Sequence, residues 1–176
     1  MANIDVTNYN KASVVSNNEV GRGWTHVARI DYQDFVNNPS ATDGDTLTFP
    51  VIGIPANSIV ESVGYRLVTA FNDPAEVGGS SLTVQLGDTT TADGYVTAKE
   101  LHLDGTEVFI GANDGAYFTG TDSPTADTTA NVIKGKTYTS ADTIEALFTP
   151  TSFKLDEETA GEIVIFARIV STDILL

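Results

Sequence analysis

The sequence predicts an all-β fold, a two-sheet antiparallel β-sandwich of jelly-roll-like form, and three observations predict it. Apolar residues recur at every second position through most of the chain, Asp-Gly pairs punctuate those runs, and a 3.6-residue apolar period is scarce. About eight or nine such segments in 176 residues fit two packed sheets around one core. An immunoglobulin-like sandwich is the alternative; its disulfide hallmark is impossible in a chain without cysteine.

Along the chain, a first and weaker strand is expected from Trp24 to Tyr32. Leu47, Phe49 and Val51 then alternate with Thr46, Thr48 and Pro50. From Ile59 to Phe71 the odd positions form the more apolar set: Ile59, Val63, Tyr65, Leu67 and Phe71 with Glu61 and Thr69 among them. Leu82, Val84 and Leu86 alternate with Thr83 and Gln85. Ala98 to Leu103 is the single helical candidate, too short to form a layer. Weaker strands are expected at Glu107 to Ile110, Ala116 to Thr119 and Lys136 to Thr139, and a strong one where Ile144, Ala146 and Phe148 alternate with Thr143, Glu145 and Thr149. Ile163 to Val170 is nearly continuous in apolar residues, with Arg168 its only charge, which predicts a central strand covered on both sides. Asp43-Gly44, Asp93-Gly94, Asp104-Gly105, Asp114-Gly115, Gly78-Gly79 and Gly87-Asp88 supply the turns. Residues 1–23, polar and asparagine-rich, predict an extended arm ahead of a single domain at 24–176, and residues 120–135 predict a long surface loop.

Charge narrows the function classes. Asp and Glu number 24 against 9 Lys and Arg, a net −15 at pH 7, so phosphate backbones and anionic membrane surfaces are repelled. No nucleic-acid or membrane partner is therefore expected. No run approaches the roughly 18 apolar residues of a spanning helix, and the polar N-terminal stretch has no apolar leader core. Missing cysteine removes thiol catalysis and thiolate metal sites.

Neither His26 nor His102 belongs to a metal-binding histidine pair, and Gly78-Gly79-Ser80-Ser81 lacks the closing glycine of a nucleophile elbow. Glu61 and Glu145 are the acids that stand within strands, where an exposed face explains them better than a glycosidase pair does. Gly21-Arg22-Gly23 opens no helix and is too short for a dinucleotide fingerprint. Trp24, Tyr65, Tyr95 and Tyr117 are weighed as a sugar-stacking platform, against packing roles for each. No enzyme activity and no cofactor are expected. If a cation binds, the oxygen-rich loops around Asp43, Asp45, Asp88 and Asp93 are the candidates for calcium.

Identical chains at −15 repel, so a homo-oligomer needs an apolar seam. The last strand offers two faces: Ile163, Ile165, Ala167 and Ile169 on one, and Val164, Phe166, Arg168 and Val170 on the other. One set is expected in the core and the other against a neighbouring subunit or an overlying loop, in a trimer whose interface includes Phe166 or Arg168.

One ordered set of segments resembles a known group. Ile54-Pro55-Ala56-Asn57-Ser58-Ile59-Val60 leads into a long strand, Leu82 to Asp88 ends another, Tyr138-Thr139-Ser140-Ala141-Asp142-Thr143-Ile144 opens a third, and Ala160-Gly161-Glu162 precedes the last. This order resembles small virion structural proteins of tailed bacteriophages, over roughly residues 46–172. Gln85-Leu86 departs from it, standing where a shorter strand end is commoner. The resemblance implies a virion-located capsid cement or decoration protein, a homotrimer bound to the major capsid protein or another virion protein. A carbohydrate- or receptor-binding β-sandwich, as in a tail fibre or a secreted module, is the alternative.

Overall fold

The computed structural model describes residues 24–72, 80–102, 109–110, 114–119 and 135–172. The expected arm at 1–23, most of the expected loop at 120–135, and the turns at Gly78-Gly79 and Asp104-Gly105 lie outside the described residues. Nine strands are described: β1 (His26–Asp31), β2 (Leu47–Ile54), β3 (Ser58–Thr69), β4 (Ser81–Asp88), β5 (Val96–Glu100), β6 (Phe109–Ile110), β7 (Lys136–Tyr138), β8 (Asp142–Thr151) and β9 (Glu162–Ser171). One sheet runs β1-β9-β3, with β6 and β7 both on the far side of β3; the other runs β2-β8-β4-β5. Every pairing is antiparallel.

The pairing follows one rule. β1 pairs with β9, β2 with β8, β3 with β6 and β7, and β4 with β5, so the two halves of the chain lie together like one long hairpin. That hairpin rolls up through the additional pairs β3 with β9 and β4 with β8. This is jelly-roll topology, and the expected all-β two-sheet sandwich is what forms.

Alternation builds the core. Ile163, Ile165 and Ala167 of β9 are fully buried, as are Leu82, Val84 and Leu86 of β4 and Ile144, Ala146 and Phe148 of β8. β3 breaks the simple parity. A bulge between Val60 and Ser62 inserts one residue, so Val60 and Val63 both face inward and Ile59 is turned outward instead of in. Phe35, Phe49, Phe71 and Phe148 form one aromatic cluster with ring centroids 4.9–6.3 Å apart. Phe35 comes from a helix that the period analysis did not find, α1 (Tyr32–Val36). Its signal is the capping box: Asp31 accepts from the Gln33 N–H at 2.9 Å and Asp34 accepts from the Asp31 N–H at 2.9 Å.

Two expectations are corrected. The expected helix at Ala98 to Leu103 does not form over its described residues, 98–102, because Val96–Glu100 is a strand paired with β4, and the Glu100 carboxylate caps its end by accepting from the N–H groups of Leu82, Leu101 and His102 at 3.0–3.1 Å. Ala116–Thr119 is not a strand but a short helix, α2, held by the local bond from Phe118 N–H to the Gly115 carbonyl at 3.0 Å and tied to the β4–β5 turn by Tyr117 N–H to the Gly94 carbonyl at 2.8 Å. Asp43-Gly44 does form the expected turn, with Gly44 at φ 80°.

Candidate functional site

Two features stand out: a buried polar cluster between the sheets and the outer face of the β1-β9-β3 sheet. The cluster begins with parity. Asp88 continues the inward series Leu82, Val84, Leu86, so the strand drives a carboxylate into the sandwich, where it is 2% exposed. Burial alone would hold this acid neutral, so partners must compensate. Its Oδ1 accepts from the N–H groups of Thr90 and Thr91 at 2.9 and 3.0 Å and from the Tyr117 hydroxyl at 2.8 Å. Its Oδ2 accepts from the Tyr138 hydroxyl and from the Lys136 ammonium. Tyr95 completes the group through its hydroxyl against that of Tyr138. The Lys136 ammonium also lies 4.0 Å from the centre of the Tyr117 ring and donates to its hydroxyl oxygen at 2.6 Å.

Two glycines make room for this packing. A Cβ at Gly94 would stand 2.1 Å from the Tyr117 ring, and one at Gly87 1.9 Å from the Thr91 carbonyl oxygen.

Charge in the cluster is fixed. Burial pushes the Asp88 carboxyl up, but the bonds from Lys136, Tyr138, the Thr90 amide and Tyr117 outweigh it and hold it below the ordinary 3.8. Burial pushes Lys136 down, and Asp88 and Tyr117 more than reverse that, keeping it above 10.5. Burial raises both Tyr95 and Tyr138 well above the ordinary tyrosine value. A carboxylate with every lone pair engaged is a poor base, and an ammonium held charged is no nucleophile. The cluster is a lock between sheets rather than acid–base machinery.

The calcium candidates are not brought together as a ligand set. Asp45 turns its carboxylate onto the Thr42 N–H at 2.8 Å, Asp43 is exposed beside it, and Asp88 belongs to the tyrosine cluster. The Asp93 carbonyl accepts from the Ala116 N–H at 3.2 Å. Among the described residues no three His, Asp or Glu side chains group as metal ligands. Glu61 and Glu145 stand on different sheets, Glu61 paired with Arg168 at 2.7 Å. Of the aromatic residues weighed as a sugar platform, Tyr65, Tyr95 and Tyr117 are buried, with 1%, 0% and 6% of their surface exposed.

His26 is half-buried and bonded to the Thr25 hydroxyl at 2.8 Å, with burial holding it below the ordinary histidine value. His102 is largely buried: its Nε2 meets Glu158 Oε1 at 2.7 Å, its side chain is 14% exposed, and its ring packs 5.3 Å from Phe153. Glu158 is wholly buried, so this pair closes a second polar contact at the η1 turn (Leu155–Glu157).

The outer face of the β1-β9-β3 sheet carries the residues expected at an interface. Ile163, Ile165, Ala167 and Ile169 turn to the core, while Val164, Phe166, Arg168 and Val170 turn outward. In register beside them lie Val27 opposite Phe166 and Arg29 opposite Val164 on β1, and Gly64 and Arg66 on β3. Trp24 covers Phe166 with ring centroids 4.4 Å apart, leaving Phe166 7% exposed. Arg29 pairs with Glu162, and Arg168 with Glu61 within the same chain. The other sheet's outer face is different in kind: Thr83, Gln85, Thr143, Glu145, Leu147 and Thr149 dominate it.

Comparison with protein-family models, with characterised proteins and with solved structures finds no match to this chain.

Sequence reasoning missed the tyrosine cluster, though two signals point to it. Position 88 continues the inward parity of β4, and Lys136-x-Tyr138 puts both side chains on one side of a strand.

Proposed function

We propose that this chain is a virion structural protein, a capsid cement or decoration protein that acts as a homotrimer and bridges capsid subunits. The observation that carries the reading is the contrast between its two outer sheet faces. An aliphatic and aromatic face set with arginines suits a protein contact, because burying apolar area drives association while charged rims set register. The opposite face, rich in threonine, suits water. The strand order adds a fold-level analogy, since jelly rolls recur in viral capsid and lectin domains, and analogy of fold alone does not establish function. The segments that resemble tailed-phage virion proteins point to capsids. Three of the aromatic residues that would stack a sugar are inside the sandwich, which favours this reading over a glycan-binding module.

The mechanism is mass action: a protein that binds only the assembled shell stabilises it, by about 2.7 kcal/mol at a hundredfold excess over Kd. The test is mass photometry of the purified protein with and without empty tailed-phage capsids, followed by the melting temperature of the shell. Added mass and a hotter shell transition support the proposal. Free shells with an unchanged transition, together with binding on a glycan array, would replace it with the carbohydrate-binding reading.

A further inference from the structure

The edges of the two sheets are not alike, and the difference singles out β1. An edge strand leaves a row of backbone N–H and C=O groups unpaired, and proteins blunt such rows with proline, bulges, charge or brevity. β2, at one edge of its sheet, carries Pro50 and a bulge between Pro50 and Ile52. β5, at the other edge, has its Thr97 N–H taken by the Asp114 carboxylate at 3.1 Å, and Lys99 pairs with the same acid. β6 and β7 are two and three residues long. β1 has six residues, no proline, an unbroken register with β9 and, among the described residues, a neighbouring strand on one side only. Its arginine, Arg29, is drawn toward Glu162 of β9, and Asp31 at its end caps α1.

The hydrogen-bond phase of this edge sets what can pair with it. In an antiparallel ladder, successive residues bond alternately to one side and the other. The Tyr32 N–H donates to the Gly161 carbonyl at 3.1 Å, which puts Ile30, Ala28 and His26 in the phase bonded to β9. Val27, Arg29 and Asp31 therefore turn their backbone groups to the open side, and the Asp31 N–H is already taken there by Asp34 at 2.9 Å. We infer that the occupant of this edge is β1 of a second copy of the chain, paired antiparallel about a two-fold axis at Ala28. In that register Val27 of each copy faces Arg29 of the other, so each open N–H of the edge meets a carbonyl and no like charges are opposed. Centring on Arg29 would set arginine against arginine and present the occupied Asp31 N–H. Centring on Val27 would set Arg29 against Thr25, whose N–H is bound to the Ala167 carbonyl. Unpaired backbone identifies the ligand as an extended strand, and the match of β1 to itself makes that strand a second copy. The inference goes beyond the proposed function and does not rest on it, since a two-fold contact joins single copies or whole trimers alike.

The test follows the size of the unmodified protein by sedimentation velocity at micromolar concentration, together with amide hydrogen exchange resolved by residue. The expected result is an even-numbered assembly, a dimer or a hexamer, in which the Val27 and Arg29 amides exchange slowly and become fast on dilution to the dissociated species. A monomer, or a trimer as the largest species, overturns the inference, as does an even-numbered assembly whose Val27 and Arg29 amides exchange fast. Val27→Pro removes an outward N–H and leaves the bonds to β9 alone, at a position where an edge strand tolerates proline. With an unchanged far-ultraviolet spectrum it is expected to weaken the two-fold contact about tenfold or more, through one bond lost from each copy; undiminished assembly overturns the inference. A proline variant that fails the spectral check is replaced by Val27→Lys, which keeps the backbone and sets a lysine against the other copy's Arg29, read the same way. A monomer or trimer that loads onto capsids refutes this contact and leaves the proposed function standing, whereas an even-numbered assembly that ignores capsids does the reverse.

Discussion

Replacing Asp88 with Asn is the sharpest probe of the sandwich. The amide keeps an oxygen for the Thr90 and Thr91 N–H groups and the Tyr117 hydroxyl, bonded at 2.8–3.0 Å in the native protein. Its NH2 group, however, replaces the oxygen that accepts from Lys136 and Tyr138, setting donor against donor. Each hydrogen bond to a charged group contributes about 1.5–3 kcal/mol, and breaking a buried pair from one side costs about 3–5 kcal/mol. The Lys136 side chain is 22% exposed and can turn partly to water, which places the loss near the lower end, about 3 kcal/mol. For a chain of this length that is a fall in Tm of about 6–12 °C. The pH dependence adds a second signature. The folded-state pKa of Asp88 is depressed, so its stabilisation is present above the ordinary 3.8 and is lost as pH falls through the folded value. Urea unfolding of both proteins from neutrality downward should show the difference shrinking below about pH 4. A Tm change under about 3 °C at neutral pH would refute the argument that this carboxylate locks the two sheets.

Three further predictions concern neighbouring features. Burial raises Tyr65, Tyr95, Tyr117 and Tyr138, so their stabilisation is present below the ordinary value of 10.0 and is lost as pH rises toward the folded values; their tyrosinate absorbance should appear together with the loss of far-ultraviolet signal, and full ionisation ahead of unfolding would contradict this. Gly94→Ala would drive a methyl into the Tyr117 ring and should cost about 1–3 kcal/mol in urea unfolding, whereas Gly53→Ala, with nothing within 4 Å, should be neutral or stabilising. Glu100→Ala should cost about 1–3 kcal/mol by taking the acceptor from the strand-end N–H groups of Leu82 and His102, while Leu101 N–H keeps the Leu82 carbonyl at 2.7 Å, and Glu100→Gln, which keeps an oxygen, should recover most of it; equal losses for both would show that the charge and not the cap matters.

Much of the strand pattern was legible because alternation is a property of near neighbours. Residues 82–86 and 144–148 declare which side of each strand is apolar, and the structure buries those sides. The two faces of β9 could be separated but not assigned, because both are apolar; the structure turns Phe166 and Arg168 away from the core. Elements shorter than a period test were not legible. The five residues of α1 show only a capping box, and the polar run after Val96 reads as helix until β4 is set beside it.

By itself, then, the sequence determined an acidic all-β chain, the inward and outward sets of β4 and β8, and the turn at Asp43-Gly44. Tertiary structure alone decided the rest. The bulge in β3 reverses a parity that the residues of that strand continue without interruption, because pairing with β9 demands it. The inward carboxylate of Asp88 is tolerable only because Lys136 and Tyr138, 48 and 50 residues away, arrive beside it from the other sheet. No local pattern encodes that meeting, since it exists only once the long hairpin has rolled and removed water from the groups that must then satisfy one another.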